Sequence, residues 1–342
     1  MRILIIRMSS IGDIVLTTPL LRCIKNQYPQ ATIHYVCKEK FKNVLASNPY
    51  IDKFFYFEND AQPLVLNLLK EKYTHIIDLQ NNMRSLFIKT YLRQAYNANI
   101  KVGTVNKLNI RKWFKTFFKI NFLPDVSIVD RYFKAASHLE LKNDSKGLDF
   151  FINEDELLKE NDLPMSHSAG YIACVIGGSR KTKMLPVEKW KNVISNIDFP
   201  VILLGGSDDV ENAKQIQELD SIKIYNACGK FSLNESAQIV RDAKLVITND
   251  TGLMHIAAAF KKKIISLWGN TIPEFGMFPY YGFNNLKTTI EPNHVIVENK
   301  KLSCRPCSKI GYKSCPKKHF KCMNNLDTAF IVANADKLLK NK

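Results

Sequence analysis

Short apolar runs, most of them ending in Gly, Ser, Thr or Asp, recur along the chain with helix-length segments between them. Arg2–Arg7 is the first and runs into Ser9-Ser10-Ile11-Gly12, after which a helix is predicted over about Asp13–Asn26. Ile33–Cys37 and Ile76–Leu79 continue the series. The second half restarts it. Tyr171–Ile176 ends in Gly177-Gly178-Ser179, Val201–Leu204 in Gly205-Gly206, Leu245–Thr248 in Asn249-Asp250-Thr251-Gly252, and Ile264–Trp268 follows. Strands separated by helical crossovers predict parallel sheets. The polar stretch Asn143–Ser168 reads as a linker. The expected fold class is α/β, with two doubly wound Rossmann-like domains (1–160 and 161–325) facing across a cleft. A helix over about Leu326–Leu339 closes the chain, in a segment spanning 326–342.

In such sheets ligands bind beyond the carboxyl ends of the strands, so the loops carry the candidate chemistry. Asp13 follows Ser10-Ile11-Gly12 at the start of a helix. It is either a helix cap or a general base taking a proton from a hydroxyl at the cleft. Asn249-Asp250-Thr251-Gly252 opens a helix whose free N–H groups and dipole suit a diphosphate. His255, four residues after Thr251, is as readily a core histidine as a ligand-binding one. Gly177-Gly178-Ser179-Arg180-Lys181-Thr182-Lys183 is a second phosphate-type loop with three cations in four residues. The sequence has no Asp-x-Asp pair to hold a divalent ion, so this loop is the natural source of positive charge for a departing diphosphate. The glycine fingerprint of dinucleotide enzymes is absent, because Gly12 is the lone glycine of the first loop.

Charge changes the picture further. Lys and Arg number 49 against 32 Asp and Glu, a net +17, over 342 residues of ordinary globular composition. No acidic residue lies between Asp78 and Asp125, while nine Lys and Arg from Arg84 to Lys119 do. Lys300–Lys321 repeats the pattern. An anionic partner is implied. Lys107–Asn121 reads as an amphipathic helix, with Arg111, Lys115 and Lys119 on one side and Ile110, Trp113, Phe114, Phe117 and Phe118 on the other. That aromatic side either packs into the first domain's core or lies on a membrane or glycolipid.

Arg7-Met-Ser-Ser-Ile-Gly-Asp-Ile-Val-Leu-Thr-Thr-Pro19 resembles the N-terminal signature of the bacterial lipopolysaccharide heptosyltransferases, glycosyltransferase family nine. Ile77-Asp78-Leu79-Gln80 with Arg84-Ser85, and Asn249-Asp250-Thr251-Gly252 with His255, resemble that family too, as does Lys183 before Pro186 and Trp190. The resemblance implies a GT-B fold that holds the acceptor mainly on the first domain and a nucleotide sugar on the second. By analogy Asp13 is the catalytic base of an inverting displacement with ADP leaving. Gly178, Ser179, Lys183, Phe231, Ser232, Asp250, Thr251, Gly252 and His255 would bind the donor. Ser10, Gly12, Arg84, Arg111 and Lys112 would bind a phosphorylated glycolipid acceptor. Met184-Leu185 and Asn270 depart from the family pattern near the donor. The runner-up is therefore a related enzyme using a GDP- or UDP-linked sugar for another surface glycan.

No apolar run approaches the roughly 20 residues of a membrane span, and no signal peptide is evident. The protein is expected in the cytoplasm, at the inner face of the membrane that holds its acceptor. Neither a catalytic metal nor a nucleic-acid partner is expected. Cys23, Cys37, Cys174 and Cys228 are expected as reduced core thiols. Cys304, Cys307, Cys315 and Cys322 form a cluster that could be a structural zinc site or a set of free or disulfide-forming thiols.

Overall fold

The computed structural model describes residues 1–96, 99–159, 161–282 and 293–340. Five parallel strands form the first sheet: β1 (Arg2–Ile6), β2 (Thr32–Lys38), β3 (Lys53–Phe57), β4 (His75–Asp78) and β5 (Lys101–Thr104), in the order β3-β2-β1-β4-β5. Its helices are α1 (Ile11–Val15), α2 (Thr18–Gln27), α3 (Gln62–Leu69), α4 (Met83–Ala95), α5 (Asn109–Phe117) and α6 (Ile128–Ala135). Six parallel strands form the second sheet: β6 (Ile172–Val175), β7 (Val201–Leu204), β8 (Ile224–Asn226), β9 (Leu245–Asn249), β10 (Ile264–Trp268) and β11 (His294–Glu298). Their order is β11-β10-β9-β6-β7-β8. The helices here are α7 (Val187–Ser195), α8 (Val210–Gln217), α9 (Leu233–Asp242), α10 (Gly252–Ala259), α11 (Lys321–Asn324) and α12 (Thr328–Lys340).

The central strands are apolar throughout because both faces are covered. Along β1, Ile3 and Ile5 join the core built with Leu20, Leu21 and Ile24 of α2. Leu4 and Ile6 join the opposite core with Leu64, Leu68, Ile88 and Leu92 of α3 and α4. In the second sheet Ile172 and Cys174 face Trp190 of α7 and Ile331 of α12. Ala173 and Val175 face the layer containing Ile239 of α9 and Met254 of α10. The inner layers of the two halves merge into one continuous core, which brings α1 against α10.

One expected helix is corrected. The helix predicted over Asp13–Asn26 is two helices, because Pro19 can start a helix but not sit inside one. The Thr17 and Thr18 hydroxyls donate to the carbonyls of Ile14 and Val15 at that break. The aromatic side of α5 does not pack into the first domain's core: no residue of this helix is buried. The linker around 143–168 is anchored, with Arg22 of α2 ion-paired to Asp144 and Asp149. The closing helix lies against the second sheet; residues 341 and 342 of the segment 326–342 fall outside the described residues. Among the described residues no helix is long and apolar enough to cross a membrane.

Asp78 at the end of β4 organises the first loop. Fully buried, it accepts from Gln80 N–H, Asn81 N–H and the Ser85 hydroxyl, and pairs with Lys89 at 2.7 Å. Gln80 in turn accepts the N–H of Met8 at 2.9 Å, fixing the chain just before Asp13. Removing one partner of a buried pair strands the other charge. Asp78→Ala should therefore lower the unfolding free energy by about 3–5 kcal/mol. Thermal or urea unfolding checks this; a midpoint close to wild type would show that the box is not a scaffold.

Candidate active site

β1 lies between β2 and β4, and β6 between β7 and β9, where doubly wound sheets reverse and open a crevice. The loops after β1, β6 and β9 therefore face one another. The approach is close: a Cβ added to Gly12 would stand 2.5 Å from Cδ2 of His255, and one on Gly252 2.7 Å from Ile11 Cγ2. Glycine at both positions is a steric requirement of the α1–α10 contact.

Asp13 sits in the first turn of α1, three residues after the Ser10 cap, and is not itself the cap. Its carboxylate accepts from the Ser10 N–H at 3.2 Å and the Ser10 hydroxyl at 2.8 Å, and meets Arg7 Nη2 at 2.5 Å. Burial raises its pKa, but the Arg7 guanidinium and the two Ser10 hydrogen bonds outweigh that, and the carboxyl lies below the usual range. Asp13 is thus an anion with a free face on the cleft.

Three adjoining cavities run through this crevice. The first, of about 560 Å³, is walled by Gly178, Ser179, Phe231, Ser232, Thr251 and Gly252 among others. The second, about 550 Å³, takes in Ser10, Asp13, Ser179, Arg180, Lys183, Asp250, Trp268 and Thr271. The third, about 1010 Å³, is walled by Arg7, Asp13, Lys107, Lys112, Tyr132, Arg180, Lys309 and Lys313 among others. Ser10 and Ser179 join the first to the second, and Asp13, Arg7, Lys112 and Arg180 join the second to the third. Asp13 stands where the second and third cavities meet.

The first two cavities suit a nucleotide and what it carries. Eight-residue α10 presents its N-terminus here, with the free N–H groups and dipole that hold a diphosphate. Lys183 reaches Asp250 at 2.6 Å, and Asp250 also accepts from the Thr271 hydroxyl at 2.9 Å. Buried Asn249 donates to the carbonyls of Val175 and Ile176 and accepts from Leu185 N–H, tying the Lys183 loop to the strand ends. Asn270 is buried, and among the described residues neither atom of its side-chain amide has a partner.

Among the described residues the third cavity is lined by six cations (Arg7, Lys107, Lys112, Arg180, Lys309 and Lys313) and one carboxylate, Asp13. Burial, with Arg131, Lys309 and Arg7 nearby, pulls the Lys112 pKa down to about 7 against the opposing pull of Asp13. A crowd of this kind is relieved by an anionic ligand. A hydrogen bond to a charged group contributes about 1.5–3 kcal/mol. For a phosphorylated acceptor, kcat/KM should then fall on the order of tenfold as pH rises through about 7, where free Lys112 loses its proton. The acid side should stay flat down into the usual carboxylate range, because Asp13 is already ionised there. Lys112→Gln should remove the alkaline fall; a fall unchanged in that variant would assign it to another group.

The structure sorts the remaining expected residues. Ser10 lines the first two cavities and Gly12 the first, so both lie on the nucleotide side and not in the third cavity. Arg84 is exposed over the ring of Phe57, and Arg111 is exposed with Nη1 on the Phe122 carbonyl; neither lines any of the three cavities. Adjacent helix positions point in different directions, and it is Lys112 that turns inward. His255 is buried under Gly12, and burial pulls its pKa down to about 4, so it packs the α1–α10 contact as a neutral ring. Lys309, Lys313 and Arg7 were missed as site residues. The acid-free run from Lys300 was the signal for the first two, and the motif containing Asp13 for the third.

Cys304, Cys307, Cys315 and Cys322 are free and lie near one another, with Cys304 Sγ 3.8 Å from His319 Nε2. Among the described residues no group of three or more His, Cys, Asp or Glu is arranged to hold a metal ion. The segment braces the site: Arg305 donates to the carbonyls of Gly269 and Thr271, and Tyr312 N–H donates to Thr182 Oγ1 at 2.7 Å. Cys23, Cys37, Cys174 and Cys228 are buried and free.

A family model described as glycosyltransferase family 9 (heptosyltransferase) matches residues 64–318. Lipopolysaccharide heptosyltransferase 1 of Campylobacter coli is 28% identical over 324 residues, covering 89% of this chain and 91% of that protein. Among solved structures, a glycosyl transferase family 9 protein of Veillonella parvula superposes with a TM-score of 0.75 at 22% identity, covering 100% of this chain and 98% of the other. An E. coli heptosyltransferase solved with ADP gives 0.69 at 21% identity over 99% and 100% of the two chains.

Proposed function

The chain belongs to glycosyltransferase family 9, the heptosyltransferases, and from that membership we propose that it transfers a heptose from ADP-heptose to the phosphorylated inner core of a lipopolysaccharide. The position of Asp13 at the junction of the nucleotide-side and cation-lined cavities is the observation that carries this reading. Supporting it, the relatives are named as lipopolysaccharide and lipooligosaccharide heptosyltransferases, and one solved neighbour holds ADP.

In the proposed reaction the diphosphate lies against the N-terminus of α10, with Lys183 and Arg180 beside it and the sugar toward Asp250 and Thr271. The cation-lined cavity holds the phosphorylated acceptor. Asp13 takes the proton of an acceptor hydroxyl as its oxygen attacks the anomeric carbon, and the bond to the diphosphate breaks on the opposite face. Charge developing on the departing ADP is met by Lys183, Arg180 and the helix amides. Asp13 with its lowered pKa is a weak base, so proton transfer comes late, when the attacking oxygen has become acidic. One carboxylate acting once inverts the anomeric centre. The acceptor is lipid-linked in this reading, and the reaction takes place at the cytoplasmic face of the membrane.

The test is nucleotide release from ADP-, GDP- and UDP-linked sugars, in EDTA, with and without a deacylated phosphorylated inner-core acceptor. Acceptor-dependent release of ADP from ADP-heptose, with the others inert, is expected. Release from a GDP- or UDP-sugar alone would overturn the donor. Silence with every donor would overturn the activity.

A further inference from the structure

An amphipathic surface helix ordinarily turns its apolar stripe toward the core. Helix α5 does the opposite. Ile110 is 74% exposed, Trp113 47% and Phe117 69%, and beyond the helix Phe118, Ile120 and Phe122 are each about half-exposed. These rings brace one another into a ridge: Trp113 stacks on Phe117 with centroids 5.6 Å apart, and Phe114 meets Phe122 edge-on at 5.7 Å. Lys107, Arg111 and Lys115 accompany it, in a stretch without an acidic residue from 79 to 124.

A second element stands beside it. Ile310 (64% exposed) and Tyr312 belong to the opposite wall of the cation-lined cavity, and neighbouring Lys309 reaches Asn109 at the start of α5, 3.4 Å away. The apolar ridge and the Ile310 tip therefore flank the cavity, each next to cations.

Exposed apolar surface of this size marks an interaction site. Tryptophan and phenylalanine set among lysines and arginines is the composition of helices that lie in the interface of an anionic bilayer. A second copy of the chain would bring the same cations, and a net charge of +17, against the patch, whereas an anionic leaflet attracts them. We infer that the aromatic ridge of α5 and the tip at Ile310 dock on an anionic phospholipid bilayer, with the cation-lined cavity between them opening onto the membrane surface. The orientation toward a lipid-linked acceptor rests on the proposed function; the docking surface itself does not.

Tryptophan fluorescence gives a test without mutation. Trp190 and Trp268 are fully buried, so Trp113 is the tryptophan that senses the outside. Adding vesicles of equimolar phosphatidylethanolamine and phosphatidylglycerol should shift its emission to the blue, and pure phosphatidylcholine vesicles should do so far less. In flotation with the anionic vesicles, combined Trp113→Ser, Phe117→Glu and Phe118→Glu should weaken binding on the order of 10²–10³-fold, from the apolar area no longer buried. Turnover of a deacylated, soluble acceptor should be unchanged, because none of the three side chains lines the cavity. No blue shift in wild type, flotation of the variant like wild type, or a wild-type dimer in light scattering that the variant dissolves would each overturn the inference. If the blue shift persists while no nucleotide sugar is turned over, the proposed function fails and the docking surface stands.

Discussion

Replacing Asp13 with Asn should lower kcat by about 10²–10⁴, the usual worth of a positioned general base, while donor affinity changes little. Asn keeps the shape of the side chain and one oxygen for the Ser10 N–H, so α1 retains much of its cap. What it loses is the proton acceptor at the junction of the cavities. Initial rates at saturating donor and acceptor, beside calorimetric binding of ADP to both proteins, separate the two effects. A kcat within a few-fold of wild type would remove Asp13 from the chemistry and leave it as the helix-capping acid that its Ser10 hydrogen bonds also make it.

The second large effect belongs to Lys183. Lys183→Met removes the cation beside the diphosphate and leaves Asp250 with only the Thr271 hydroxyl among the partners described. Loss of a preorganised group that meets developing charge costs about 10²–10³ in kcat. Lys183→Arg should recover part of it by keeping the charge. If Met and Arg variants are equally impaired, Lys183 acts by shaping the loop after β6. If neither is impaired, Arg180 or the α10 amides carry the leaving group.

The strands legible in the sequence are the interior ones. β1, β2 and β4 of the first sheet, and β6, β7, β9 and β10 of the second, are apolar because helices cover both faces. The four that escaped notice (β3, β5, β8 and β11) are the edges of the two sheets. Lys53-Phe-Phe-Tyr-Phe57 and Lys101-Val-Gly-Thr104 are half-exposed, and their mixed polarity carries no strand signal. The same logic governs the site. Loops at the ends of interior strands were readable, so Asp13, Lys183, Asp250 and Thr251 fall into one crevice. Lys309 and Lys313 come from a segment 130 residues beyond the Lys183 loop, docked through Tyr312 on Thr182, and no local pattern announces that contact. Side-chain direction was equally hidden: Arg111 and Lys112 are neighbours in sequence, and only the packing of α5 decides that Lys112 enters the cavity.

In the proposed reaction an acceptor hydroxyl displaces ADP from ADP-heptose in a single step, with Asp13 as the base. Its most direct test is the anomeric configuration of the product, read by nuclear magnetic resonance after transfer to a deacylated inner-core acceptor in EDTA. One added heptose with configuration opposite to that in the donor is expected, formed about 10²–10⁴-fold more slowly by Asp13→Asn. A product with retained configuration would contradict that step, since a single attack opposite the departing diphosphate inverts the anomeric centre.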